Sequence, residues 1–228
     1  MSKSLFVLMA MVVTAPIAAI AGPYLGAGAG GARAESSLAS LREGSQNLVP
    51  NLATDLDAIG SDPKFHGTDV SFDFTAGWNF GKYLAVEVGY TDFGRATQNY
   101  VLPEACQPVI GCQSREWTAQ VDTTGVRAFV IGNLPITDKV AAYLKLGAIR
   151  WDAKYAGFER NVAFVPAPQI GPRNDPVSFS NDGTDLAAGT GLALKTDSPF
   201  SLRVELNYYD VATTSQFWNA QLMAIYTF

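Results

Sequence analysis

Few residues in this chain have the chemistry to act on a substrate. The one histidine, His66, sits in KFHGTDVS with Asp69 and Ser71 close behind it. A histidine with a carboxylate and a hydroxyl in reach is the raw material of hydrolytic or acyl-transfer chemistry. A lone loop histidine is more often simply solvated, so the reading taken is that no catalytic residue is present. Cys106 and Cys112 lie close together in PEACQPVIGCQ. In an oxidising compartment they would form one local disulfide, worth only about 2 kcal/mol for so small a loop; two free thiols are the other reading. One cysteine pair and one histidine are too few ligands for a metal centre. No glycine-rich phosphate loop or nucleotide motif is present, so neither metal nor cofactor is expected. What remains is a set of charges, Asp73, Glu87, Arg127, Lys145, Arg203 and Glu205, set into otherwise apolar segments. Their available chemistry is to pair with one another.

The segments that carry these charges follow from the composition. The opening residues, MSKSLFVLMAMVVTAPIAAIA, have the form of an export signal: Lys3, then an apolar stretch from Leu5 to Val13, then Ala19-Ile20-Ala21 as a small-x-small cleavage site. A buried N-terminal helix is the alternative. The division expected is 1–21 as signal peptide, cleaved after Ala21, and 22–228 as one domain. Losing Lys3 takes the basic count from 16 to 15 against 21 acids, a net charge of −6. An acidic exported chain lacks the basic face that nucleic-acid binding needs. Beyond residue 21 no apolar run is long enough for a transmembrane helix. If the domain spans a membrane, it must do so as a closed β-barrel, because only closure satisfies backbone groups in lipid.

Period-two alternation runs through the domain, and helical periodicity is scarce. Alternating segments separated by turns fall at 22–33, 68–80, 83–95, 117–134, 140–154, 183–195, 200–210 and 215–228. GK (81–82), PITDK (135–139) and TDSP (196–199) are short connections. Between them lie 34–67, 96–116, 155–182 and 211–214, read as loops, the first with a turn or two of helix from Ser36 or Ser37 through Leu41. Alternating short and longer connections predict an all-β fold: an eight-stranded antiparallel up-and-down transmembrane β-barrel.

Soluble barrels alternate too, so the positions of the charges decide. One alternate set runs Val70 to Phe80, Leu84 to Tyr90, Val126 to Leu134, Ala142 to Ala148, Leu186 to Leu194, Phe200 to Tyr208 and Trp218 to Phe228, with no charge in it. Extended outward, these rows meet Asp92, Asp122, Arg150 and Asp210 at strand ends. A charge costs about 2–4 kcal/mol at the bilayer midplane and little at the interface, so this is placement by depth. The aromatics obey it as well. Tyr90, Tyr208 and Trp218 form one band, and Trp78, Phe80, Phe200, Tyr226 and Phe228 the other. In the first strand Leu25, Ala27 and Ala29 are placed outward. The opposite set carries the six charges with Gly77, Gly89, Gly125, Gly147, Gly189 and Gly191. Eight strands leave a lumen that side chains just fill, so charges there must pair. They predict a structural ion-pair plug or, if pairs exchange partners, a gated narrow pore. Met223 and Ile225, also inward, are expected to pack beneath the ion-pair layer.

The stretches LAVEVGYTDFG (84–94), LPITDKVAAYLKLGAIRWD (134–152) and LRVELNYYDV (202–211) resemble the transmembrane barrel of OmpA-type outer-membrane proteins. That resemblance implies a lumen cluster at Glu87, Lys145 and Glu205, with Arg127 matching less closely. It also implies a place in the outer membrane of a Gram-negative bacterium, among outer-membrane lipid and lipopolysaccharide. The implied role is structural or surface contact through the loops, with an unidentified external ligand. Phe228 resembles the terminal signal read by barrel-assembly machinery. Some eight-stranded outer-membrane barrels modify lipid A, which keeps an enzyme as one alternative; a soluble periplasmic ligand-binding barrel is the other.

Overall fold

A computed structural model describes residues 21–36, 65–107, 111–164, 177–211 and 216–228. The export signal before Ala21 and the possible helix after Ser36 lie outside the described residues. Eight strands follow in order: β1 (Ala21–Ser36), β2 (Phe65–Phe80), β3 (Leu84–Gln107), β4 (Gly111–Pro135), β5 (Val140–Phe164), β6 (Val177–Lys195), β7 (Phe200–Tyr209) and β8 (Gln216–Thr227). Each pairs antiparallel with the next, and β8 pairs with β1 to close the barrel. The seam runs from Tyr24 opposite Thr227 to Glu35 opposite Gln216. Phe228 extends it by donating its backbone N–H to the Pro23 carbonyl at 3.1 Å. No described helix is long and apolar enough to cross a membrane.

Alternation sorts the side chains as the pattern predicts. The uncharged rows form the outer wall, where Phe74, Val126, Leu146, Leu186 and Leu206 are all exposed. Leu25, Ala27 and Ala29 face outward with them. A soluble barrel would bury such a set; here the large apolar side chains cover the outside. At the short-turn rim, Tyr226 packs edge-on against Phe200 and Phe228, with ring centroids 5.1 and 5.0 Å apart. At the other rim Tyr208 stands opposite Trp218 across the β7–β8 ladder; Trp218 is half-buried and Tyr90 exposed. Replacing Leu146, midway up the wall and 69% exposed, with arginine should lower barrel stability by about 2–4 kcal/mol in bilayers. Urea unfolding in lipid vesicles measures it, and an unchanged midpoint would mean this face does not meet lipid.

The expected loops at 96–116 and 155–182 need correction. β3 and β4 continue as a ladder to Gln107 opposite Gly111, β4 and β5 to Cys112 opposite Phe164, and β5 and β6 to Gly157 opposite Val177. Short and long connections therefore do not alternate strictly, since only residues 108–110 join β3 to β4. Outside lipid both faces of a strand can be polar, so the apolar-polar contrast that betrays a strand fades, while ladder hydrogen bonds still hold it. The departure point is a bulge between Asp92 and Arg95. Gly94 sits there at φ +76°, and its N–H is held by the Asp92 carboxylate at 2.9 Å. A β-carbon at Gly94 would lie 2.6 Å from the Val70 carbonyl oxygen, so both conformation and space require glycine. Beyond Asp92, β3 no longer pairs with β2 among the described residues.

Candidate functional site

Five strands, β2, β3, β4, β5 and β7, deliver one buried charge cluster. Lys145, from β5, donates its Nζ to Glu87 Oε1 at 2.8 Å and to both Glu205 oxygens at 2.8 and 2.7 Å. Arg203 Nη1 donates to Glu87 Oε2 at 3.0 Å. Arg127 pairs with Asp73, and Thr91 Oγ1 donates to the other Asp73 oxygen at 3.0 Å. Three acids meet three bases, so the cluster is neutral, and all but Arg203 have fully covered side chains. Neutrality with complete pairing is what makes charges tolerable at this depth.

The alternation picks out the charged members and leaves their neutral partners to the structure. Tyr24 donates its phenol to Glu87 and Tyr143 donates to Glu205, each at 2.9 Å. Gln221 Nε2 reaches Glu205 at 3.2 Å. Arg127 Nη1 donates to the Tyr209 hydroxyl at 3.2 Å, and Asn207 Nδ2 donates to Asn219 Oδ1 at 3.1 Å. Tyr143, Asn207 and Tyr209 share the inward parity of the charges on their own strands, which is the signal that finds them; Tyr24, Asn219 and Gln221 stand on β1 and β8, which bring no charge to the cluster. Pairing across the lumen, between residues 60 or more apart in the chain, has no signal in one sequence. The glycines supply the room. A β-carbon at Gly77 would stand 2.2 Å from the Tyr24 ring, and one at Gly191 would stand 2.4 Å from the Tyr143 hydroxyl. The Arg203 guanidinium lies over the Tyr24 and Tyr143 rings at 4.8 and 5.5 Å, a cation on aromatic faces.

Apolar layers close the lumen on both sides of the cluster. Toward the short turns Ala85, Ile131 and Ile225 are buried with Met223, filling the place expected for Met223 and Ile225. Toward the other rim Phe93 packs on Phe217 and Tyr209, with centroids 4.4 and 5.2 Å apart. Three buried polar atoms, Ser71 Oγ, Arg127 Nε and Asn207 Oδ1, have no protein partner; polar niches of this kind are where ordered water sits. Among the described residues no group of three or more His, Cys, Asp or Glu is arranged to hold a metal. Of the residues weighed for acyl-transfer chemistry, Ser71 is buried, and the Asp69 carboxylate accepts the backbone N–H of Val70 at 2.7 Å and that of Arg95 at 2.5 Å. His66 stands opposite Glu35 in the β1–β2 register, its side chain outside the described set.

A closed eight-stranded barrel with an apolar outside, two aromatic bands and an ion-paired inside leaves the family to be decided by sequence. The model of the outer membrane protein beta-barrel domain matches residues 4–228. The chain belongs to the outer-membrane protein β-barrel family. Among solved structures of outer-membrane barrels, Neisserial surface protein A is 14% identical, with 91% of this chain and 97% of that one covered at a TM-score of 0.53. Ail of Yersinia pestis is 15% identical over 92% of this chain and all of its own, at 0.48. OprG of Pseudomonas aeruginosa is 12% identical over 92% and 97%, at 0.47. No curated sequence matches the chain. Membership in an outer-membrane family sets the soluble periplasmic alternative aside and accounts for the exposed apolar wall. For an outer-membrane barrel the short-turn rim is periplasmic and the extended strands are external.

Proposed function

We propose that this outer-membrane barrel is an anchor for surface contact, with a structural place in the envelope and no open conduit. One observation carries the reading: the lumen is filled by a neutral, paired network while the wall strands continue past the membrane. From Thr124 to Gly111, β4 runs 14 residues beyond the lipid-facing rows, about 45 Å along the strand. A barrel built for passage would spend its length on an open interior. This one spends it on the outside.

Sidedness is the test. A membrane-impermeant amine reagent applied to intact cells should modify Lys154, exposed on the external stretch of β5, and spare Lys82, Lys139 and Lys195, exposed at or beside the short turns. Labelling of the short-turn lysines in intact cells, with Lys154 spared, would reverse the display. In planar bilayers the wild type and Glu87→Ala should both stay silent; discrete conductance steps in either would favour the gated pore. The register also supports a bridge at the hairpin tip, since Cys106 stands directly opposite Cys112. Alkylation before reduction should then leave both cysteines unmodified, and two alkylated cysteines would refute the bridge.

A further inference from the structure

Above the lipid-facing rows the wall divides and leaves two strand edges unpaired. On one side β3 parts from β2 after Phe72 opposite Asp92. On the other, β6 parts from β7 above Ala187 opposite Tyr209. Between these partings β3, β4, β5 and β6 continue outward as one four-stranded sheet. Each edge begins at a clasp. The Asp69 carboxylate of β2 accepts the Arg95 N–H at 2.5 Å, and the Leu186 carbonyl of β6 accepts the Asp210 N–H at 2.9 Å. Successive residues of a strand aim their backbone groups to alternate sides, so the clasps fix which residues face the open edge. Along β3 they are Arg95, Thr97 and Asn99; along β6 they are Thr184, Asp182, Ser180 and Ser178. Beyond the clasps neither edge has a ladder partner among the described residues. Edges are usually guarded by lysine, proline or several charges. Here residues 96–102 carry no charge and no proline, and residues 177–184 carry one acid, Asp182, and no proline.

The two edges fit each other. β3 runs away from the membrane and β6 runs back toward it. In barrels that share one orientation in one membrane, a β3 edge therefore meets a β6 edge antiparallel. Contacts between like edges would be parallel, the weaker pairing per residue, and two β6 edges would also bring their Asp182 carboxylates together. Charge selects the same match. Arg95 is the only charge in residues 95–102, and Asp182 the only one in 177–184. Setting Arg95 of one barrel opposite Asp182 of the next also sets Thr97 opposite Ser180 and Asn99 opposite Ser178. All six side chains are exposed. They make one opposite-charge pair and two hydrogen-bonding pairs, the kinds that stabilise antiparallel neighbours. The charged pair has groups to spare for this. Arg95 spends Nε and Nη2 on Asp122, which leaves Nη1, and Asp182 receives Arg150 on Oδ2, which leaves Oδ1.

We propose that the β3 edge of one barrel pairs with the β6 edge of a second copy standing beside it in the membrane. Each copy offers one edge of each kind, so the contact is heterologous and links barrels head to tail into rows in the membrane plane. This inference rests on the surface-anchor reading, which puts both edges outside the cell. Cross-linking on intact cells tests it, in chains with Cys106 and Cys112 replaced by serine. A chain carrying both Thr97→Cys and Ser180→Cys, treated with a short bifunctional thiol reagent, should give a ladder of dimers, trimers and longer species. The same two substitutions on separate, co-expressed chains should stop at dimers, and either chain alone should stay monomeric. Asp182→Lys in the double-cysteine chain should cut cross-linking about fivefold, and adding Arg95→Glu should restore most of it. Absence of the ladder, equal cross-linking by either single-cysteine chain, capture of a different protein, or no recovery with Arg95→Glu would overturn the pairing. Labelling of Thr97→Cys by a membrane-impermeant maleimide is read alongside. Cells whose cysteine stays unlabelled refute the external rim itself, whereas a labelled cysteine without a ladder refutes only this edge contact.

Discussion

Lys145→Met should destabilise the barrel by about 3–5 kcal/mol, the cost of breaking a buried ion pair by removing one partner. Lys145 donates three hydrogen bonds to Glu87 and Glu205, and without it two carboxylates face each other. Glu87 keeps Arg203 and Tyr24. Glu205 keeps only neutral donors, Tyr143 and Gln221 with a longer contact to Asn207, so it bears most of the cost. Adding Glu205→Gln restores neutrality and keeps the amide within reach of the same donors. The double variant should therefore recover most of the loss. The pair of variants separates charge balance from packing, because methionine replaces the lysine stem in both. Denaturant unfolding of the refolded barrel in detergent measures all three proteins. A Lys145→Met barrel within 1 kcal/mol of wild type would mean the cluster is not the neutral, dry plug described.

Gly30→Val should prevent closure, whereas Gly31→Val should not. A β-carbon at Gly30 would lie 2.0 Å from the Ala220 carbonyl oxygen and 2.6 Å from the Gln221 α-carbon, while one at Gly31 meets nothing within 4 Å. The obstacle at Gly30 is backbone of the partner strand on the β1–β8 seam, which no rotamer change relieves. The cost therefore lies at or beyond the upper end of overpacking, about 3 kcal/mol or more. Gly31→Val places a side chain on the lipid-facing wall and should shift stability by no more than about 0.5 kcal/mol. The heat-modifiable band should vanish for Gly30→Val and persist for Gly31→Val. Folding of both would show that β1 and β8 are not packed at this seam as described.

Adjacent glycines with opposite fates show how the reading divides. The sequence by itself determined the strands inside the membrane, the outward rows and the short-turn rim, because lipid enforces one rule on every strand: apolar residues out and the rest in. Glu87, Lys145 and Glu205 are inward by parity alone, and so are Tyr143 and Asn207. The same rule ends where lipid ends, which is why 96–107 and 111–116 read as a loop and fold as a ladder. It is also blind to the glycine-rich first strand, where the inward Gly30 and outward Gly31 have the same side chain and no contrast to offer. Only the tertiary structure decided that Lys145 bridges Glu87 and Glu205 while Arg127 takes Asp73, and that Tyr24 and Tyr143 complete the two glutamates. Alternation fixes which way a side chain points. It does not fix the stagger and curvature that set which residues meet across the lumen, or which strand edges stay unpaired above the lipid. Those follow from closing eight strands at one register, a property of the whole barrel.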